Sequence, residues 1–234
     1  MKVPWVSKKK MAHKAGQLLD AFEASAGYRV KPPIPVEEII ERTLGLKLIY
    51  TDLTEILGAG DVLGATYVES RTVCINERLF ERGGEGRLVF TCAHEVGHWV
   101  LHRRYVTAQG KGDRSNKKAI VCRAADAKAP IEWQADYFAA CLLMPEREIR
   151  EAFEKVCGPK PLVIGSVGSA AGSSAPCEAP CLEQWPLISA AMCETAGFSN
   201  ISKQAMIIRL QELGLLINNT SAGLNWQTLL ALEA

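Results

Sequence analysis

Excess charge of one sign is what this sequence has least of. Its 27 lysines and arginines stand against 26 aspartates and glutamates, a net charge of +1. Such balance supplies no general attraction for nucleic acid or an anionic membrane surface. Long apolar runs are also missing: nothing approaches the roughly 18 uninterrupted residues that mark a transmembrane helix. Lys8-Lys9-Lys10 is followed by Ala12-His13-Lys14, where a signal peptide needs an apolar core. A cytoplasmic location is therefore expected. The eight cysteines form no regular disulfide framework. Cys74, Cys92 and Cys141 read as small buried residues of a reducing compartment. Cys177-x-x-x-Cys181 lacks the second pair that would make it a metal clip. No internal repeat is present. What remains is an ordinary globular composition, and 234 residues suffice for one large or two small domains with a real core.

The elements follow from periodicity and punctuation. Ala15, Leu18, Leu19 and Phe22 line one face of a helix over 10–26 that Gly27 stops. Lys31-Pro32-Pro33-Ile34-Pro35 is a stiff connector. A helix is expected over 36–43, with Glu37 and Glu38 at the positive end of its dipole, then a strand over 46–50. The stretch 52–60 is open between a short helix and a Gly-rich turn. Two β-prone runs, 63–69 and 72–75, are separated by Ser70-Arg71, the spacing of a tight hairpin. Such a hairpin would either hold an extended substrate on its edge or be a plain sheet edge. A central helix is expected over 86–103, then a polar loop over 110–118, a short strand over 119–123, and helices over 131–143 and 146–156. Residues 157–186, rich in Gly, Ala, Ser and Pro, read as a flexible linker or insertion. Helices follow over 187–195 and 202–213, with Ser202 as a cap, and 218–234 form a tail. The charges of the 187–217 segment (Glu194, Lys203, Arg209 and Glu212) sum to zero, which favours packing or partner contact over DNA binding.

One motif organises this layout. In Thr91-Cys92-Ala93-His94-Glu95-Val96-Gly97-His98, the pattern His-Glu-x-x-His places His94 and His98 one helical turn apart on one face, able to reach the same ion. Glu95 stands beside them, positioned to act on a metal-activated water. With four histidines in the whole chain, the pattern rarely arises by chance. A catalytic zinc needs a third protein ligand and an open position. His102 lies eight residues beyond His94, roughly 12 Å along the helix axis and too far for one ion. A metzincin would carry histidine at position 104, where this chain has Arg104. A carboxylate from another helix remains. In Glu132-Trp133-Gln134-Ala135-Asp136, Glu132 can supply the third ligand and Asp136 can accept the N–H of a ligating histidine. Taken alone, this pair reads as a solvated acidic face. Beside the His-Glu-x-x-His helix the balance reverses, because something must complete the site.

Together, Ala93-His94-Glu95-Val96-Gly97-His98-Trp99-Val100-Leu101-His102 and Glu132-x-x-Ala135-Asp136-x-Phe138-Ala139-Ala140-x-Leu142-Leu143-Met144-Pro145 resemble the ImmA/IrrE family of metallo-endopeptidases. Pro33-Ile34-Pro35, Ile75-Asn76 and Phe198-x-x-Ile201-Ser202-x-x-Ala205-Met206-x-x-Arg209-Leu210-x-x-Leu213-Gly214 extend the likeness. The resemblance implies an α+β chain. A zincin-like catalytic domain (1–156), with a small mixed sheet and the HExxH helix, precedes a small helical, helix-turn-helix-like segment (187–217). It implies one Zn2+, or Mn2+ in its place, on His94, His98 and Glu132, with Glu95 as general base. The implied substrate is a protein, a helix-turn-helix transcriptional repressor whose cleavage relieves repression in a stress response or a mobile genetic element. The linker is unusual for the family, and residues 218–234 are too few for the sensory domain some members carry.

The expected chemistry is amide hydrolysis. Zinc lowers the pKa of its water to about 7 and polarises the scissile carbonyl, and Glu95 carries the proton to the leaving amine. An oxyanion needs a further donor, for which His102, Tyr105 and Tyr137 stand as alternatives. His102 also reads as a residue that caps or packs the helix end, and Trp99 and Trp133 read as core or cleft wall. The competing reading is a non-catalytic regulatory or DNA-binding module with a structural metal. Structural sites usually fill all four positions, and the glutamate inside the motif favours the enzyme.

Overall fold

The computed structural model describes residues 3–58, 62–82, 84–109, 119–123, 129–164 and 185–219. Contacts divide the chain into two compact units, Met1–Pro145 and Glu146–Ala234. The sequence reading carries the catalytic domain on to residue 156.

In the first unit, helix α1 (Lys8–Ala26) starts where the Ser7 side chain accepts the Lys10 N–H and ends at Gly27, with φ 76°. Its buried face (Met11, Ala15, Leu18, Leu19, Phe22) packs on α6 (Pro130–Leu143). Helix α2 (Val36–Glu38) widens into a π-helical turn, Ile39–Thr43, so the expected helix over 36–43 is present in a looser winding. Helix α3 (Leu53–Leu57) resolves the stretch left open by the sequence. The Asp52 carboxylate accepts the N–H groups of Thr54 and Glu55 and so caps it.

Strands β1 (Lys47–Thr51), β2 (Val62–Tyr67), β3 (Thr72–Asn76) and β4 (Ala119–Arg123) form one sheet in the order β1-β3-β2-β4. β1 is parallel to β3, and β2 is antiparallel to both β3 and β4. Two expectations about the hairpin change here. Tyr67 pairs with Thr72, so the connection is the four residues 68–71 and not a two-residue turn. Ser-Arg is a poor pair for a primed turn, which needs positive φ at both central residues (type I′) or a glycine at the first (type II′). Only Arg71 takes a positive φ (52°), and its guanidinium donates to the carbonyl of Leu44. Second, β2 and β3 are the inner strands, and the edges belong to β1 and β4. A substrate therefore cannot add to the hairpin's own edge.

Strand alternation decides what faces the central helix. Ala65, Cys74 and Val121 pack with Leu53, Val62 and Leu57 on the α3 side. Their neighbours Gly64, Thr66 and Cys122 belong to the opposite face, towards α5 (Gly84–Gln109), which packs on β2. A register shift between Val62 and Gly64 breaks strict alternation and lets Val62 join the α3 side. α5 follows α4 (Arg78–Arg82) and runs beyond its expected end at 103, since no Gly or Pro intervenes before Gly110 and Arg103 bonds back to the Trp99 carbonyl at 2.8 Å.

The second unit contains α7 (Glu146–Cys157), β5 (Leu162–Ile164), α8 (Trp185–Ala196), α9 (Lys203–Glu212) and β6 (Leu216–Asn218). α8 packs on both α7 and α9, around buried Phe153, Trp185, Met192, Phe198, Met206 and Leu210. Ser202 caps α9 through the Ala205 N–H. Leu162-Val163-Ile164, inside the stretch expected as linker, pairs in parallel with β6. The polar loop 110–118, Cys177 and Cys181, residues 165–184 of the linker and 220–234 of the tail lie outside the described residues. Among those described, no helix is long and apolar enough to cross a membrane.

Candidate metal centre

α5 and α6 approach closely because of two small residues. A Cβ on Gly97 would stand 3.0 Å from both the Cα and the carbonyl oxygen of Ala135. With no side chain in that gap, Glu132 on α6 comes level with the two histidines on α5. His94 Nε2 lies 2.9 Å from His98 Nε2 and 3.0 Å from Glu132 Oε2, and His98 Nε2 lies 3.4 Å from the same carboxylate oxygen. Donors around a tetrahedral ion bonded at about 2 Å are separated by roughly 3.3 Å. Two imidazoles and a carboxylate at this spacing therefore fit a divalent metal. All three residues are buried.

The charges at the centre are mutually dependent. Burial would raise the Glu132 pKa, but hydrogen bonds to His94 and His98 outweigh it and hold the carboxyl at about 2. Burial would likewise depress His94, but its bonds to Asp136, Cys122 and Glu132 lift it well above the ordinary histidine value. Both shifts favour a cationic imidazole beside an ionised carboxylate, the electrostatics that a cation at the centre would also satisfy.

The outer partners fix which nitrogen carries hydrogen. Asp136 Oδ1 lies 2.8 Å from His94 Nδ1, which donates to it and leaves Nε2 facing the centre. Behind His98 runs a longer chain. Gln134 Nε2 donates to the Pro4 carbonyl at 3.3 Å, so its Oε1 faces His102 Nε2, also at 3.3 Å. His102 must donate there, which leaves its Nδ1 as acceptor for His98 Nδ1 at 3.0 Å. His98 then presents a bare Nε2 to the centre. Burial holds His102 neutral, with its pKa pushed down to about 4. His102 is therefore a fully buried support for His98 on a helix that continues past it.

Glu95 is fully buried. Burial raises its pKa, against the nearby histidines and a 2.5 Å bond from the Thr66 hydroxyl to Oε2. Oε1 has no hydrogen-bond partner among the described residues. The strand lies tightly against this carboxylate, and a Cβ on Gly64 would be 2.6 Å from Oε1.

The other two donors named from sequence, Tyr105 and Tyr137, have aromatic and cationic neighbours. Tyr105 takes a hydrogen bond from Arg104, whose guanidinium also lies over its ring. Tyr137 stacks on Trp133, which stacks in turn on Trp5, and Lys8 lies over both the Trp133 and Tyr137 rings. The sequence reading did not single out Gly64, Thr66, Cys122 or Gln134. The first three were accessible through alternation in β2 and β4. Gln134 was hidden because its role depends on Pro4, far away in sequence.

A sheet lying over an HExxH helix, completed by a carboxylate from a second helix, defines a zincin-like metallopeptidase domain. Residues 41–156 match the family model Peptidase_M78, described as an IrrE N-terminal-like domain, and the chain belongs to the ImmA/IrrE metallopeptidases. A search of curated proteins gave no match.

Proposed function

We propose that this chain is a zinc-dependent endopeptidase that cleaves a helix-turn-helix transcriptional repressor. The observation that carries the reading is a triangle of metal donors with a buried carboxylate, free at one oxygen, held beside it. His94, His98 and Glu132 would hold the ion, while Asp136 and His102 orient the two histidines. When bound, zinc supplies a polarised scissile carbonyl and an activated water. Glu95 accepts the proton of that water at Oε1 and returns it to the leaving amine. Mn2+ satisfies the same nitrogen and oxygen donors, although zinc, higher in the affinity order, is the better fit.

A repressor substrate rests on the family resemblance. So does a role in transcription regulation, in a stress response or a mobile genetic element. A cytoplasmic site of action accords with the burial of Cys74, Cys92, Cys122 and Cys141 as small core residues. The catalytic domain is assigned to 1–156, a linker to 157–186, the helical segment to 187–217 and a tail to 218–234. The near-neutral helical segment serves packing or partner contact in this reading. The test is to incubate the purified chain with a helix-turn-helix protein encoded beside it and follow products by mass spectrometry. One cut, abolished by a chelator and restored by zinc, is expected. Cleavage that ignores the chelator would refute the metal mechanism.

A further inference from the structure

Cys122 has no part in the chemistry above, yet it stands at the metal centre. In the β2–β4 register it pairs with Gly64, which places it on the sheet face that presses against Glu95. Its sulfur lies within 4.8 Å of a His94 ring nitrogen and a Glu132 carboxylate oxygen, and all three residues are buried. The thiol and the His94 imidazole also perturb one another electrostatically. On an edge strand, an apolar or β-branched residue would fill such a position equally well. A thiol here adds a soft donor to a site already built from two imidazoles and a carboxylate, and thiolate is among the best zinc ligands.

We infer that the Cys122 sulfur is a fourth protein ligand of the metal bound by His94, His98 and Glu132 in the resting protein. This rests on the metal-centre reading above and extends it. On loading, the S–H bond gives way to a sulfur–metal bond, and the proton leaves to solvent. Four protein donors make a closed site of the kind otherwise found in structural zinc centres. Hydrolysis then requires the Cys122 sulfur to leave and open one position. The cysteine thereby acts as a latch on the peptidase, built into the edge strand beside the centre.

Cobalt substitution tests this without a substrate. The full chain, stripped of metal, is titrated with Co2+ under reducing conditions, and its absorption is recorded alongside Cys122→Ser and Cys193→Ser. The inference predicts a near-ultraviolet thiolate-to-cobalt charge-transfer band at one equivalent, with the intense visible bands of a four-coordinate ion. That band is lost in Cys122→Ser, kept in Cys193→Ser, and accompanied by an affinity loss of about tenfold or more in the former. Visible bands without charge transfer, or a charge-transfer band that survives in Cys122→Ser, would overturn the sulfur ligand and leave the three-donor centre standing. Failure to bind Co2+ at all would overturn the centre itself, and the latch with it. X-ray absorption at the zinc edge of the wild-type chain gives the same answer without a variant. One sulfur at about 2.3 Å supports the latch, and nitrogen and oxygen scatterers alone contradict it.

Discussion

Gly64 and Glu95 are in direct opposition: a Cβ on the glycine would stand 2.6 Å from Oε1 of the carboxylate. That oxygen is the one left free to take a proton, while Oε2 is held by Thr66. In the proposed mechanism the sheet therefore aims the general base. Gly64→Ala should turn or displace the Glu95 side chain while leaving the three metal donors in place. A displacement near 1 Å costs on the order of 100-fold in turnover. Cleavage assays with parallel metal analysis should show activity down by about that factor and metal content unchanged.

The same sheet shows what a sequence can and cannot reveal. His94, Glu95 and His98 are legible because helical spacing alone brings them together. Glu132 and Asp136 are legible because zinc coordination demands a completing group and a helix face supplies it. The strands over 47–51 and 119–123 were visible as β-prone runs, but their order in the sheet was not. It depends on non-local pairing, and it makes the expected edge hairpin an interior one. His102 illustrates the opposite difficulty. Rise per residue sets it apart from His94, but its contact with Gln134 and, through it, with Pro4 is non-local. Neither contact leaves a local pattern.

Gly97 sets the spacing of α5 and α6, since its missing side chain faces the Ala135 backbone at 3.0 Å. Backbone yields less readily than a flexible side chain. Gly97→Ala should push α6 outward and carry Glu132 away from the histidines. Overpacking of this kind costs about 1–3 kcal/mol. Calorimetry should show metal affinity reduced by about 10–100-fold together with a lower melting temperature.

His102 gives the metal-free protein a defined acid limb. Its folded pKa is about 4, against 6.5 when unexposed to these surroundings. Between those values the unfolded chain takes up a proton that the folded chain refuses. The stabilisation is therefore complete above pH 6.5 and falls as pH drops toward 4. The full loss is on the order of 3 kcal/mol. His94 works in the other direction: its contribution is present below pH 6.5 and is lost as pH rises through its elevated folded value. Urea unfolding of the metal-free chain from pH 4 to 7 should show the acid limb, and His102→Phe should flatten it.

In the proposed mechanism Glu95 is a proton carrier and not a metal ligand. Glu95→Gln preserves shape and burial while removing the basic oxygen. The decisive measurement is zinc content of this variant beside cleavage of the proposed repressor substrate. One equivalent of zinc with turnover reduced by at least about 100-fold is the result expected. Cleavage at the wild-type rate by a zinc-loaded Glu95→Gln protein would contradict the account.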